Sequence, residues 1–155
     1  MSDMLQISRI LVPIDGSEYS RHAGRDAIRI AQTFASEVVF LHVVSDIVLA
    51  ELAQRESGDG ERVARQRLAD QGQAHLNDVA RLAGEAGVAH REILGNGDPC
   101  AVICETAASL PVDLIVMGKI GRHGARRILM GSVARRVIES SDRPVLVVGA
   151  PEASC

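Results

Sequence analysis

Aromatic residues are nearly missing from this sequence, which has two Phe, one Tyr and no Trp in 155 residues. That scarcity argues against single-strand nucleic-acid binding, which uses aromatic rings as platforms for base stacking. An excess of positive charge is missing too. Seventeen Lys and Arg stand against 20 Asp and Glu, a formal net charge of -3. A general nucleic-acid binder needs many cations to neutralise phosphates, so that class is disfavoured. No apolar run reaches the roughly 18 residues of a membrane span. The longest, Val38 to Val44, is strand-sized and contains His42. The opening stretch, Met1 to Ser8, lacks the basic start and apolar run of a signal peptide, so the expected location is cytoplasmic. The three cysteines, Cys100, Cys104 and Cys155, are too few to suggest a disulfide framework.

What is present is aliphatic. Hydrophobic residues make up 46% of the chain and are dominated by Ala, Val, Ile and Leu. That fraction excludes a disordered chain, and the length fits one domain with a real core. The expectation is a single domain over residues 1–155, with a core at about 7–149 and a variable segment at about 45–60. Five short β-branched runs mark strands: Arg9 to Ile14, Glu37 to Val44, Val88 to Leu94, Asp113 to Met117 and Pro144 to Val148. Three of them, ILVPI, VVFLHVV and LIVM, are almost continuously apolar, as in a parallel sheet covered on both faces. Helical spacing lies between the strands. Ala23, Ala27, Ile30, Ala31 and Phe34 form one stripe, with Ser17 or Ser20 as its cap. A second helix is expected from about Asp59 to Ala86, with Val63, Leu68, Leu76, Val79, Leu82 and Ala83 inward. A third opens at Asp98-Pro99, with Pro in the first turn, and a fourth runs from about Gly131 to Ser140 with Val133, Val137 and Ile138 inward. Alternating strands and helices predict an α/β fold with a parallel sheet and helices on both faces. Ser45 to Gly60 reads as a loop or a short helix.

The richest stretch is Met117 to Val137, at the exit of the fourth strand. Gly118, Gly121 and Gly124 crowd that exit, and nine residues separate Gly121 from the Gly131-Ser132 pair that opens the next helix. Glycine lets backbone approach a ligand closely, and a helix N-terminus presents unpaired N–H groups to a phosphate. Ser132 adds a hydroxyl, and Arg122, His123, Arg126 and Arg127 add positive charge. Eight of the 17 basic residues follow residue 90, and six of those eight lie between Lys119 and Arg136. An isolated G-x-x-G is more often a plain turn, but the paired Gly-Ser at a helix start favours a phosphate site. The loop is not a Walker A sequence, since no GxxxxGK(S/T) is present, nor the dinucleotide fingerprint, since no GxGxxG follows the first strand; it comes late, after the fourth strand.

Asp15 stands just past the first strand, where ligands bind in open α/β sheets. It suits a nucleobase, ribose or metal contact, and equally an Asx-turn or helix cap. Val43, at the end of the second strand, offers backbone to a base, and His42 reads as structural. Cys100 and Cys104 stand four apart on one helix and read as small buried residues, since no further metal ligands accompany them. Glu61 to Arg67 reads as a solvated helix face.

With these residues in view, the chain resembles the universal stress protein family, in its ATP-binding branch. That branch carries a G-2x-G-9x-G-(S/T) motif, which here reads Gly118, Gly121, Gly131 and Ser132 with the spacing intact. ILVPIDGS at the start, HVV after the second strand, GDP at Gly97 to Pro99 and the closing RPVLVV also match, so the likeness covers about Ile7 to Val148. The resemblance implies the fold of the adenine nucleotide alpha-hydrolases, a five-stranded parallel sheet of order 3-2-1-4-5. It implies ATP, or another adenine nucleotide, at the switch point between strands one and four. Carried over by position, Pro13, Asp15 and Val43 would line the adenine and ribose pocket. Met117 and Gly118 would lie under the ribose, with Gly97 nearby. Gly121, Arg122, Gly131, Ser132 and Val133 would hold the phosphates, with Mg or Mn as the accompanying metal. The resemblance also implies a homodimer through the last strand, Val145, Leu146, Val147 and Val148. Lys119-Ile120 departs from the small or polar residues many relatives carry inside the first glycine pair.

The expected function is a nucleotide-dependent stress-response switch with an unidentified protein partner. No catalytic residue is assigned, and any hydrolysis is expected to be slow, because no carboxylate is evident beside the γ-phosphate position. The alternatives are a nucleotide-dependent transferase or hydrolase of the same architecture, and a nucleotide-free dimeric scaffold.

Overall fold

Three strands are buried whichever way their side chains point. In β1 (Arg9–Pro13) and β4 (Leu114–Gly118) the three central residues are buried, as are residues 38–41 of β2 (Glu37–Ser45). β3 (His90–Gly97) and β5 (Val145–Val148) are more exposed. They form the two edges of one sheet of order β3-β2-β1-β4-β5, in which every pairing is parallel. The computed structural model describes residues 4–121 and 130–149.

The period of two along each strand sorts the core into two layers. Ile10, Val12, Val38, Phe40 and Val116 point to one face, where they meet α1 (Glu18–Phe34) and α3 (Gly60–Glu85). Leu11, Val39, Leu41, Ile115 and Met117 point to the other, where they meet α4 (Pro99–Ser109) and α5 (Ser132–Ser140). The connections from β1 through β3 thus place α1 and α3 on one face, and those from β3 through β5 place α4 and α5 on the other. The strand order reverses at β1, which pairs with β2 on one side and β4 on the other. That reversal opens a crevice at the carboxyl ends of β1 and β4.

The segment expected as a loop or short helix, Ser45 to Gly60, contains a helix, α2 (Asp46–Arg55), with Leu49 as its one buried residue. Three apolar side chains turn outward against expectation. Phe34, Val63 and Ile138 are 41%, 38% and 43% exposed. The cause is a shift of the buried row by one position. Gly24 and Ile28 join Ala23, Ala27 and Ala31 on α1, Ala64 faces in on α3, and Ala134 with Val137 forms the inward row of α5. Small residues let these helices lie close to the sheet, so packing depth outweighs side-chain size.

The amino ends of the strands are closed by charge. Glu37 takes hydrogen bonds from both Arg9 and Arg91. Burial alone would raise the Glu37 pKa, but the Arg91 and Arg9 hydrogen bonds and charges hold it below the usual value. Asp113 accepts from the Ser8 and Arg9 main-chain N–H groups. The opposite, carboxyl ends carry the glycines.

Candidate functional site

The site is assembled from three chain segments. The first is the turn between β1 and α1. Asp15 Oδ1 accepts from the Ser17 N–H at 2.9 Å, which closes an Asx-turn, and the Ser17 hydroxyl caps α1 by accepting from the Ser20 N–H at 3.1 Å. Ser17, not Ser20, is therefore the cap. Gly16 takes φ +85°, a conformation that L side chains rarely adopt. The turn reading of Asp15 is thus realised through Oδ1, while Oδ2 points across the crevice. A Cβ placed on Gly121 would lie 2.8 Å from it.

The second segment runs from β4. Gly118 has a packing reason to be glycine: a Cβ there would lie 2.8 Å from the Tyr19 backbone, so the start of α1 can press against the end of β4. Met117 is 4% exposed and its side chain belongs to the core under α4 and α5, leaving only its backbone to face outward. Ile120 is also buried, at 5% exposure. The unusual isoleucine therefore fills the interior rather than intruding on the crevice. The Lys119 N–H donates to the Val148 carbonyl at 2.8 Å, which ties this turn to β5.

The third segment is the start of α5. The Gly131 N–H donates to the Lys119 carbonyl at 2.8 Å, and a Cβ on Gly131 would lie 3.3 Å from the Gly121 nitrogen. The two glycine turns therefore touch backbone to backbone. Gly131 is the N-cap of α5 and offers no side chain to its first turn. In contrast, α1 is capped by Ser17, and α4 by Asp98, which accepts from the Ala101 N–H at 3.0 Å. The N–H groups opening α5 at Ser132 and Val133 are without a side-chain cap and sit at the positive end of a helix. Asp15, Gly121 and Gly131 are brought together by these contacts.

The other expected site residues spread along the same edge of the sheet. Pro13 pairs with Leu41, Val43 with Gly95, and Gly97 with Ser45. Gly97 has φ +131° and ends the edge strand β3, two strands away from β1. Arg122 lies outside the described residues, as do His123, Gly124, Arg126 and Arg127. Asp98, next to Gly97, is held by a two-pronged pair with Arg136 of α5 at 2.9 and 3.0 Å. The Arg136 hydrogen bonds, with that of the Ala101 N–H, keep the Asp98 carboxyl below the usual range.

Sequence reasoning did not single out Gly16, Gly72 or His75, which gather around His42 beneath the β1–α1 turn. Three of these are unremarkable as letters, and only the tertiary contact marks them. The cysteine pair behaves as expected. Cys100 is buried and Cys104 half-buried in the core under α4. Burial first, and the Cys100 thiol second, push the Cys104 pKa up to about 11, which leaves it a poor nucleophile at neutral pH. Among the described residues there is no cluster of three His, Cys, Asp or Glu side chains fit to hold a metal. None of the described helices is long and apolar enough to cross a membrane.

A doubly wound parallel sheet with glycine turns and an open helix start at its switch point defines a class of α/β ligand-binding proteins. The particular family follows from comparison. Residues 6–149 match the model of the universal stress protein family, and the chain belongs to that family. It is 41% identical over 145 residues to Universal stress protein MJ0531 of Methanocaldococcus jannaschii, covering 93% of this chain and 83% of that protein. The solved structure of the MJ0577 protein superposes with a TM-score of 0.83 at 27% identity, covering 96% of this chain and all of the other. A family protein from Arabidopsis thaliana, solved with AMP bound, shares the fold at a TM-score of 0.69 and 20% identity, covering 93% and 92%.

Proposed function

We propose that this chain is a nucleotide-binding stress-response regulator that takes ATP, or another adenine nucleotide, in the crevice between β1 and β4. The observation that carries the reading is the meeting of Asp15, Gly121 and the uncapped start of α5 around one opening. A methyl group on either glycine would crowd the space, which suits a site where backbone must approach phosphate. Pro13, Asp15 and Val43 then line the base and ribose, with the Met117–Gly118 backbone and Gly97 beside them. Gly121, Arg122, Gly131, Ser132 and Val133 take the phosphates. The AMP bound by the Arabidopsis family member supports the same ligand class.

Aliphatic walls and main-chain groups replace aromatic stacking, in keeping with a chain that has three aromatic residues besides histidine. Mg or Mn would be held chiefly through phosphate oxygens and water, as is usual for Mg among nucleotides. Such a cradle binds and orients the nucleotide, and hydrolysis in it is slow and serves as a timer. The domain acts as one cytoplasmic unit and pairs with a second copy through the β5 edge, where Leu146 is 42% exposed.

Mass spectrometry of small molecules released from the purified protein tests the ligand class, with calorimetric titration of ATP, AMP and cyclic AMP to rank affinities. An adenine nucleotide recovered, or bound in the micromolar range or tighter, is the expected result. A folded protein that carries none and binds none refutes the proposal.

A further inference from the structure

Beneath the β1–α1 turn lie two histidines, His42 from β2 and His75 from α3, with ring centroids 6.0 Å apart and planes inclined at 45°. Each ring occupies space that a glycine leaves open. A Cβ on Gly72 would overlap His42, and a Cβ on Gly16 would overlap His75. Gly72 stands three residues before His75 on α3, so one helical turn presents first a gap and then a ring. The helix thus receives the His42 ring and presses the His75 ring against the turn.

The His42 contact is also a specific bond. Its Nδ1 lies 2.6 Å from the Ile14 carbonyl oxygen. A carbonyl only accepts, so Nδ1 carries the proton. Ile14 is the residue just past β1, and its own N–H donates to the Leu41 carbonyl at 2.7 Å. In a parallel ladder the Ile14 carbonyl would next take a main-chain N–H further along β2. The His42 ring meets it at that place. A side chain thus finishes the ladder where β1 and β2 part to form the crevice. The neighbours on either side of Asp15 are then both held, Ile14 by a hydrogen bond from His42 and Gly16 by packing against the Nε2 end of the His75 ring.

We infer that His42 and His75 are positioning residues for the nucleotide site, locking the Ile14–Asp15–Gly16 turn so that the Asp15 carboxylate faces Gly121. The inference rests on the nucleotide-binding reading. The role proposed for the two rings needs no contact with the nucleotide. They act through the backbone on both sides of the carboxylate, and they join α3 to the turn that the ligand would grip.

The test is calorimetric ATP affinity of the full chain and its variants, with thermal melting recorded in parallel. His42→Leu removes the donor and is expected to weaken ATP at least tenfold. His42→Asn places an amide N–H near the Nδ1 position and is expected to recover affinity to within about threefold of the parent. His42→Gln places its donor one bond too far and is expected to resemble His42→Leu. His75→Ala, which takes away the support behind Gly16, is expected to weaken ATP threefold or more. Should His42→Leu fail to fold, nitrogen-detected NMR of the parent decides the same point. The expected signature is an Nδ1-protonated His42 whose ring signals, with those of His75, shift as ATP saturates the protein. If the parent binds no adenine nucleotide, the nucleotide reading itself falls. If the parent binds ATP but folded His42→Leu binds it equally, the positioning role alone is overturned. Equal losses in His42→Asn and His42→Leu, or ring signals unmoved by saturating ATP, overturn it as well.

Discussion

Replacing Gly131 is the sharpest perturbation of the proposed phosphate cradle, because its effect can be graded by one carbon at a time. Gly131 has φ -71° and ψ 158°, so any L-residue can adopt its backbone without conformational cost. The effect must then come from space. An added Cβ would sit 3.3 Å from the Gly121 nitrogen, 3.3 Å from the Ile120 Cα and 3.4 Å from the Lys119 oxygen. These are backbone atoms, anchored by the Lys119–Val148 and Gly131–Lys119 hydrogen bonds, so they yield only by parting the two glycine turns. Gly131→Ala needs a few tenths of an ångström of relief and is expected to cost about 1 kcal/mol of ATP binding, at the low end of overpacking penalties. Gly131→Val adds two further methyl groups between the turns. If it pulls the Ser132 and Val133 N–H groups out of reach of phosphate, two charge-assisted bonds are lost. At about 1.5 kcal/mol each or more, that is at least about 3 kcal/mol, or roughly 150-fold in affinity. Isothermal titration with ATP measures the loss, and circular dichroism with thermal melting confirms a folded protein. A folded Gly131→Val protein whose ATP affinity stays within twofold of the parent would refute the cradle.

Three further predictions concern stability and assembly. Ala35 closes α1 with φ 55°, a left-handed conformation that suits glycine; Ala35→Gly is expected to stabilise the fold by about 0.5–1 kcal/mol after the extra chain entropy of glycine is deducted, and urea titration reads the sign directly. Asp98→Asn keeps a good N-cap but loses the ion pair with Arg136. Because the folded Asp98 pKa is lowered, its contribution is full above the unfolded carboxyl value of about 3.9 and is lost as pH falls through the folded value. The stability gap between parent and Asp98→Asn should thus be present at pH 7, be small because the pair is half-exposed, and close as pH falls below about 3.9 and through the folded value; a gap that widens with acid contradicts the assignment. Leu146→Asp places a charge on the exposed edge of β5 and is expected to turn a dimer into a monomer by light scattering, with an unchanged dimer refuting that edge.

The glycine motif illustrates what can and cannot be read without a fold. Spacing alone identified Gly118, Gly121 and Gly131 as a set, yet they serve differently. Gly118 makes room for α1, Gly121 for the Asp15 carboxylate, and Gly131 for the backbone of residues 119–121. All three are the same letter, and the difference lies in what an added Cβ would meet: the Tyr19 backbone at 2.8 Å, the Asp15 carboxylate at 2.8 Å, or the backbone of residues 119–121 at 3.3–3.4 Å. Ile120 shows the same limit, since its departure from a polar residue looked relevant to ligand and proves to be a buried core contact. On the helices, the 3.6-residue period located each element but left the buried row uncertain by one position, because Phe34, Val63 and Ile138 are as apolar as the residues that face in.

The strand runs, the alternation with helices and the turn residues are local properties, set by side-chain period and backbone preference, and they were sufficient to predict a parallel α/β sheet, whereas the family came from the resemblance of the glycine motif and its flanking segments. The meeting of β2, α3 and the β1–α1 turn is not local. His42 and His75 are 33 positions apart, and each depends on a glycine from another segment to have a place at all. The sequence by itself determined the elements and the glycine spacing. Only the tertiary structure decided what each glycine makes room for, Gly16 and Gly72 for a histidine ring and Gly121 for the Asp15 carboxylate, because close packing is a property of segments brought together and not of their order in the chain.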